Sequence, residues 1–84
     1  MPVTTDTIVK QFVADFFSRP FEQITNATVA DDIEGWDSLA NAEIILALED
    51  ALGVELEVED LLELDNVGLM VEVFDKRLAL ISTP

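Results

Sequence analysis

The 84-residue chain predicts an all-α fold, a small four-helix bundle with a long first loop and a short third helix. Three observations lead there. Apolar residues recur at helical spacing in three separate segments, whereas the one alternating stretch, "VELEV" at 54–58, has no second strand pattern to pair with. Half of the residues are apolar, enough for a folded core despite a formal net charge of -14. A chain this short holds one domain and buries only about 60–65% of the surface its unfolded form exposes. One domain spanning 1–84 is therefore expected, with residues 6–80 ordered and the termini flexible.

In the first segment Ile8, Val9, Phe12, Val13, Phe16 and Phe17 share a helical repeat, Thr5 or Asp6 supplies an N-cap, and Pro20 ends the pattern. A helix over Asp6–Ser18 follows, with its phenylalanines in the core. From Phe21 to Trp36 the repeat fades. Ile24, Val29 and Ile33 there read as anchors for a long loop containing one helical turn. The second helix is expected over Ser38–Leu52, with Ile44, Ile45, Leu48 and Leu52 facing the core and Gly53 as the left-handed residue that closes it. Val54, Leu56 and Val58 then form an extended connector into a short helix over Glu59–Glu63. Asp65 or Asn66 caps the last helix, whose buried stripe is Val67, Met70, Val71, Phe74 and Leu78. Lys76 and Arg77 suit its C-terminal end, and "ISTP" is expected to fray.

Composition excludes several functions. Lys10, Arg19, Lys76 and Arg77 are the only bases, so Pro20–Asp75 carries acids without a single counter-charge. Such a field repels nucleic acid and anionic lipid and steers the chain toward Lys- and Arg-bearing partners. It also costs stability by self-repulsion, so added salt or divalent cations are expected to stabilise the fold. The absence of Cys removes disulfides, thiolate nucleophiles and zinc–thiolate sites. The absence of His removes the commonest base and metal ligand at neutral pH. The acidic loop before the second helix fails as a calcium loop: with Gly35 at position 6, Ala30 falls at 1 and Asn41 at 12, where carboxylates are required. Asp31, Asp32, Glu34 and Asp37 read as a solvated face rather than a catalytic pair. No apolar run approaches the ~20 residues of a membrane span, and "MPVTTDTIVK" lacks the basic and apolar regions of a signal peptide. A cytoplasmic protein, neither enzyme nor membrane or nucleic-acid binder, is the expectation.

Ser38 stands apart from this background. It lies where the loop enters the second helix, so its hydroxyl should be exposed beside free backbone N–H groups, at the end of the helix dipole that favours a phosphate. With no base to activate it, the hydroxyl suits modification by another enzyme better than attack on a substrate. A plain capping role, shared with Asp37, is the safer reading of the position taken by itself.

"GWDSL", Gly35 to Leu39, resembles the attachment motif of acyl carrier proteins, whose core is Asp-Ser-Leu. The order around it is similar too: helix, long loop, Asp-Ser-Leu, then "NAEIILALEDALGVEL", like that family's second helix. The similarity extends over nearly the whole chain and is most specific from Ile33 to Leu56. The resemblance implies a carrier-type four-helix bundle in which Ser38, flanked by Asp37 and Leu39, receives 4′-phosphopantetheine from coenzyme A through a magnesium-using phosphopantetheinyl transferase. The arm's thiol would hold acyl groups as thioesters and pass them between acyl-loading and acyl-processing enzymes, the chain itself acting as a discrete monomer without catalysis. It also implies docking of basic patches on the second helix, with Asp37, Glu43, Glu49 and Asp50 as polar contacts and Leu39, Ala42 and Leu46 as apolar ones.

The residues agree on one physical point, since Leu39, Ala42 and Leu46 share a stripe distinct from the core face of Ile44, Ile45 and Leu48. Packing of that stripe beneath the long loop is the structural alternative, evenly balanced for Leu46. Ala40 departs from an acid common in fatty-acid carriers, "DNVG" replaces the usual Thr-Val, and Trp36 resembles carriers of polyketide or other specialised pathways. Asp37, with no Gly-Gly pair, disfavours a peptidyl or aminoacyl carrier. Three further readings stay open: a peptidyl or aminoacyl carrier, an acidic helical adaptor that binds basic partners without a prosthetic group, and, least favoured, an enzyme using clustered carboxylates.

Overall fold

The computed structural model describes residues 4–61, 64 and 66–82. Within them the helices run α1 Thr5–Phe17, α2 Ser38–Leu52, α3 Val58–Leu61 and α4 Val67–Ser82. Short 3₁₀ turns at Phe21–Gln23 and Ala30–Asp32 interrupt the α1–α2 loop, in place of the one turn expected.

Every residue of "TTDT" at 4–7 is able to cap a helix, which is why the sequence left the start of α1 open. Thr4 takes the role rather than Thr5 or Asp6: its Oγ1 accepts the Thr7 N–H at 3.2 Å. At the other end Ser18 enters the left-handed region at φ 54, and the Arg19 N–H reaches the Ala14 carbonyl at 2.9 Å. That geometry satisfies a carbonyl the helix would otherwise leave unpaired. Helix α2 has the predicted bounds and closes at Gly53, φ 71, with the Gly53 and Val54 N–H groups on the Glu49 carbonyl.

The core joins Val9, Val13 and Ala14 of α1, Ile44, Ile45 and Leu48 of α2, and Val67, Met70 and Phe74 of α4. Ile24 and Ile33 insert from the loop and Val54 from the connector. Two anchors thus sit where expected, while Val29 is only half-buried. Phe12 and Phe17 pack against the core from its edge, but Phe16 is exposed, its ring edge-on to Phe17 at 4.9 Å. The apolar stripe of α1 is wider than the face its neighbours cover, so its outermost ring stays in solvent. In α4 the expected Val71 and Leu78 are half-buried, and Val73, absent from the predicted stripe, is buried.

The long loop is fastened to the start of α4. The Val67 and Gly68 N–H groups donate to the carbonyls of Thr28 and Asn26, each at 2.9 Å, and buried Thr28 accepts the Thr25 N–H on Oγ1. A Cβ on Gly68 would come within 3.0 Å of both Cβ and O of Asn26, so only glycine allows this approach. Asn66 caps α4 through the Leu69 N–H at 2.8 Å; Asp65, the other candidate, lies outside the described residues.

The connector over 54–57 is irregular, as expected, and α3 starts at Val58, one residue early; Leu62 and Glu63 lie outside the described residues. Asp60 is buried rather than part of a solvated acidic face. Its Oδ2 accepts the Glu57 N–H at 2.9 Å, which caps α3, and also meets the Arg77 guanidinium at 2.6 Å from α4. The Glu57 N–H, foremost, and the Arg77 charge hold the Asp60 carboxyl below its usual pKa against the opposing effect of burial. Arg77 therefore clamps α3 to α4 and does not serve the helix end. Because α4 continues to Ser82, its last turn carries no base, and Ile81 and Ser82 are helical where fraying was expected; Thr83 and Pro84 lie outside the described residues.

Candidate functional site at the start of the second helix

Ser38 is the first residue of α2 and is exposed, between a half-buried Trp36 and a buried Ala40. The approach to it is fixed by the backbone. Gly35 turns at φ 91, a conformation L side chains resist, with open space where a Cβ would stand, so dihedral freedom is its function there. The Trp36 N–H then returns to the Ile33 carbonyl at 3.3 Å, and the Trp36 ring lies 5.2 Å from that of Phe17. Beyond Ser38, the Trp36 indole N–H donates to Asn41 Oδ1 at 3.0 Å. The serine is thus held between two anchored segments.

Asp37, not Ser38, is the cap. Asp37 has extended dihedrals, its Oδ1 accepts the Ala40 N–H at 2.8 Å, and its carbonyl accepts the Asn41 N–H at 2.9 Å. The Ser38 hydroxyl enters no hydrogen bond among the described residues, and the Ser38 and Leu39 N–H groups are likewise unclaimed there. An exposed hydroxyl beside two free donors at the positive end of a 15-residue helix suits a phosphodiester. This donor set, with hollows of about 300 and 340 Å³ opening beside Ser38, fits a phosphorylated arm attached to the hydroxyl oxygen.

The apolar residues expected beside it are in solvent. Leu39 is 69% and Leu46 64% exposed, Ala42 is exposed as well, and none of them packs beneath the loop. Glu43 and Asp50 are exposed along the same helix. Glu49 differs: it is half-buried, and its Oε2 accepts the Leu56 N–H at 2.7 Å, binding the connector to α2. Leu61 of α3, 44% exposed, lines the larger hollow together with Leu46. Sequence reasoning missed Leu61 as a surface residue because "VELEVEDLLEL" gave no consistent period to assign its face. It missed the Trp36–Asn41 pair because an i to i+5 contact between loop and helix leaves no periodic trace.

The molecule is thus a small helical bundle with an exposed serine at a helix start and an apolar and acidic face beside it. Comparison with known proteins gives this class its family. Residues 7–74 match the family described as the phosphopantetheine attachment site. The chain is 36% identical over 66 residues to an acyl carrier protein of Saccharopolyspora erythraea, covering 77% of this chain and 68% of that one. It is 37% identical over 68 residues to acyl carrier protein MbtL of Mycobacterium tuberculosis, covering 80% of each. The solution structure of a holo acyl carrier protein from Geobacter metallireducens superposes with a TM-score of 0.82 at 29% identity, covering 93% of this chain and 90% of that one. The chain belongs to the acyl carrier protein family. It is a carrier rather than an enzyme, takes a covalently attached phosphopantetheine, and works with a phosphopantetheinyl transferase and with biosynthetic enzymes.

Proposed function

We propose that Ser38 is the attachment residue, and that the chain carries acyl intermediates as thioesters between enzymes of fatty-acid, polyketide or related specialised biosynthesis. One observation carries this reading: the Ser38 hydroxyl is exposed and, among the described residues, unbonded at the start of α2 while Asp37 does the capping. The arm supplies the thiol that a cysteine-free chain lacks. What the protein's own residues contribute is presentation. Gly35 and Trp36 fix the approach of the loop and the Ser38 and Leu39 N–H groups would face the phosphate; on transfer, Oγ bonds to the phosphorus next to the pantetheine as adenosine 3′,5′-bisphosphate leaves coenzyme A, and the Oγ proton passes to the transferase.

Partner enzymes dock on the exposed stripe of Leu39, Ala42 and Leu46, with Glu43 and Asp50 pairing to surrounding Lys and Arg. Asp37 and Glu49 act mainly through the fold there, one as the cap and the other on the Leu56 N–H. A specialised pathway is favoured over a housekeeping one. Trp36 is built into the site, and buried Ala40 stands where an acid would have to place its carboxylate against the core.

The test is incubation of apo protein with coenzyme A, magnesium and a broad-specificity phosphopantetheinyl transferase, followed by intact mass. Wild type should gain one arm and Ser38→Ala none. Wild type that stays unmodified contradicts the proposal and leaves an acidic adaptor as the reading.

A further inference from the structure

Two hollows have Ser38 in their walls. The larger is walled mainly by Ala42, Ile45, Leu46 and Leu61 and is dominated by aliphatic carbon. The smaller is walled by Ala30, Trp36, Asp37 and Leu64 and mixes polar with apolar surface. Asn41 stands in the wall of both.

The orientation of the Asn41 amide follows from its partner. An indole N–H can only donate, so the bond of 3.0 Å from Trp36 requires Oδ1 of Asn41 to face the ring. The end left over is Nδ2, with two hydrogens that have no acceptor among the described residues. Trp36 is itself held by the Phe17 ring at 5.2 Å and by its own backbone bond to Ile33. Phe17, Trp36 and Asn41 thus form a chain of contacts that ends in a pre-oriented donor one helical turn from Ser38.

We infer that Asn41, oriented by Trp36, is a positioning residue for the prosthetic arm, its Nδ2 donating to the first amide carbonyl of the arm and holding it in the hollow between Trp36 and Leu64. The inference rests on the reading that Ser38 bears the arm. Side chains three apart on a helix have Cβ atoms about 5–6 Å apart, so Asn41 is within reach of the amide nearest the phosphate. The chemistry of the hollow matches that part of the arm, which carries amides and a branched dimethyl carbon. Trp36 and Leu64 offer apolar surface to the methyls, and Asn41 offers the donor that an amide carbonyl needs.

The pair of variants Asn41→Asp and Trp36→Phe tests this in the arm-loaded, isotope-labelled protein by NMR. Asn41→Asp keeps size and the acceptor for the indole but removes both Nδ2 donors, so the fold is retained while the arm loses its anchor. In wild type, loading should shift the Asn41 side-chain amide resonances and give contacts between arm protons and the Trp36 ring. In Asn41→Asp those contacts should weaken, with the docked fraction relative to the free arm falling roughly 2- to 12-fold, the range of one neutral hydrogen bond. Trp36→Phe, which frees the Asn41 amide to rotate, should reduce the contacts between Asn41 and the arm in the same direction. At about 1 M salt, where the added charge is screened beyond about 3 Å, melting of the unloaded Asn41→Asp protein should match wild type, which separates positioning from a structural role. A loaded wild type whose Asn41 resonances do not move, or an Asn41→Asp protein with unchanged arm contacts, overturns the inference alone. A chain that never gains the mass of the arm overturns the attachment reading with it.

Discussion

Replacing Asp37 with alanine separates two roles that meet at the start of α2. In wild type the Asp37 carboxylate closes the Ala40 N–H at 2.8 Å, whereas the neighbouring serine hydroxyl closes nothing among the described residues. Loss of an Asp cap costs about 1 kcal/mol, within a range of about 0.5–2. In a domain of this size 1 kcal/mol corresponds to a fall in melting temperature of roughly 4–8 °C. Asp37→Ala also removes one negative charge from a chain at -14, which relieves self-repulsion and offsets part of that loss. Asp37→Asn removes the same charge but keeps the accepting Oδ1, so the Asn-to-Ala difference isolates the cap. The expected order in thermal and urea melts of the unloaded proteins is Ser38→Ala within about 0.5 kcal/mol of wild type, Asp37→Asn close to it, and Asp37→Ala lowest. If Ser38→Ala proves as damaging as Asp37→Ala, the serine is a structural cap and the division of labour at this helix start is wrong.

Leu46→Ala should leave stability within about 0.5 kcal/mol of wild type, because a 64% exposed leucine has little packing to lose, yet raise the KM of the transferase for the apo chain; an unchanged KM removes Leu46 from the docking face. Gly68→Ala should lower stability by roughly 1 kcal/mol, as the cost of overpacking at the 3.0 Å approach to Asn26 exceeds the gain in helix propensity, and urea melts of the two proteins check it. The folded-state pKa of Asp60 lies below its ordinary value, so its contribution is present above about pH 4, the usual unfolded Asp value, and disappears as pH falls through the folded pKa. The stability gap between wild type and Asp60→Asn should therefore be widest at neutral pH and close in acid; a gap independent of pH contradicts the ionised clamp. Raising salt from about 0.01 to 1 M shortens the screening length from about 30 to about 3 Å, and the melting temperature of a chain at -14 should rise with it.

What the sequence made legible was whatever periodicity or a single special residue encodes. The bounds of α2 followed from Asp37, Ser38 and Gly53, and its two faces from the separation of Leu39, Ala42 and Leu46 from Ile44, Ile45 and Leu48. Features that depend on partners distant in sequence were opaque. Asp60 looked like one more acid among many, and only the fold brings Arg77 of α4 against it. Phe16 obeys the period of α1, but how much of that stripe is covered depends on how α2 and α4 sit, which no local pattern states. Glu49 likewise read as an exposed acid until the return of the connector placed the Leu56 N–H on it. Trp36 was conspicuous in the sequence and unexplained; its bond to Asn41 supplies the explanation.

Site-resolved fragmentation of the arm-loaded chain shows directly which residue bears the arm. The wild-type protein, modified with coenzyme A and the transferase, is cleaved, and the mass of the arm is assigned to a residue within "GWDSL". All of the added mass should reside on Ser38. Arm mass on any other hydroxyl, such as Thr25 or Thr28 of the loop, or on no residue at all, would contradict it.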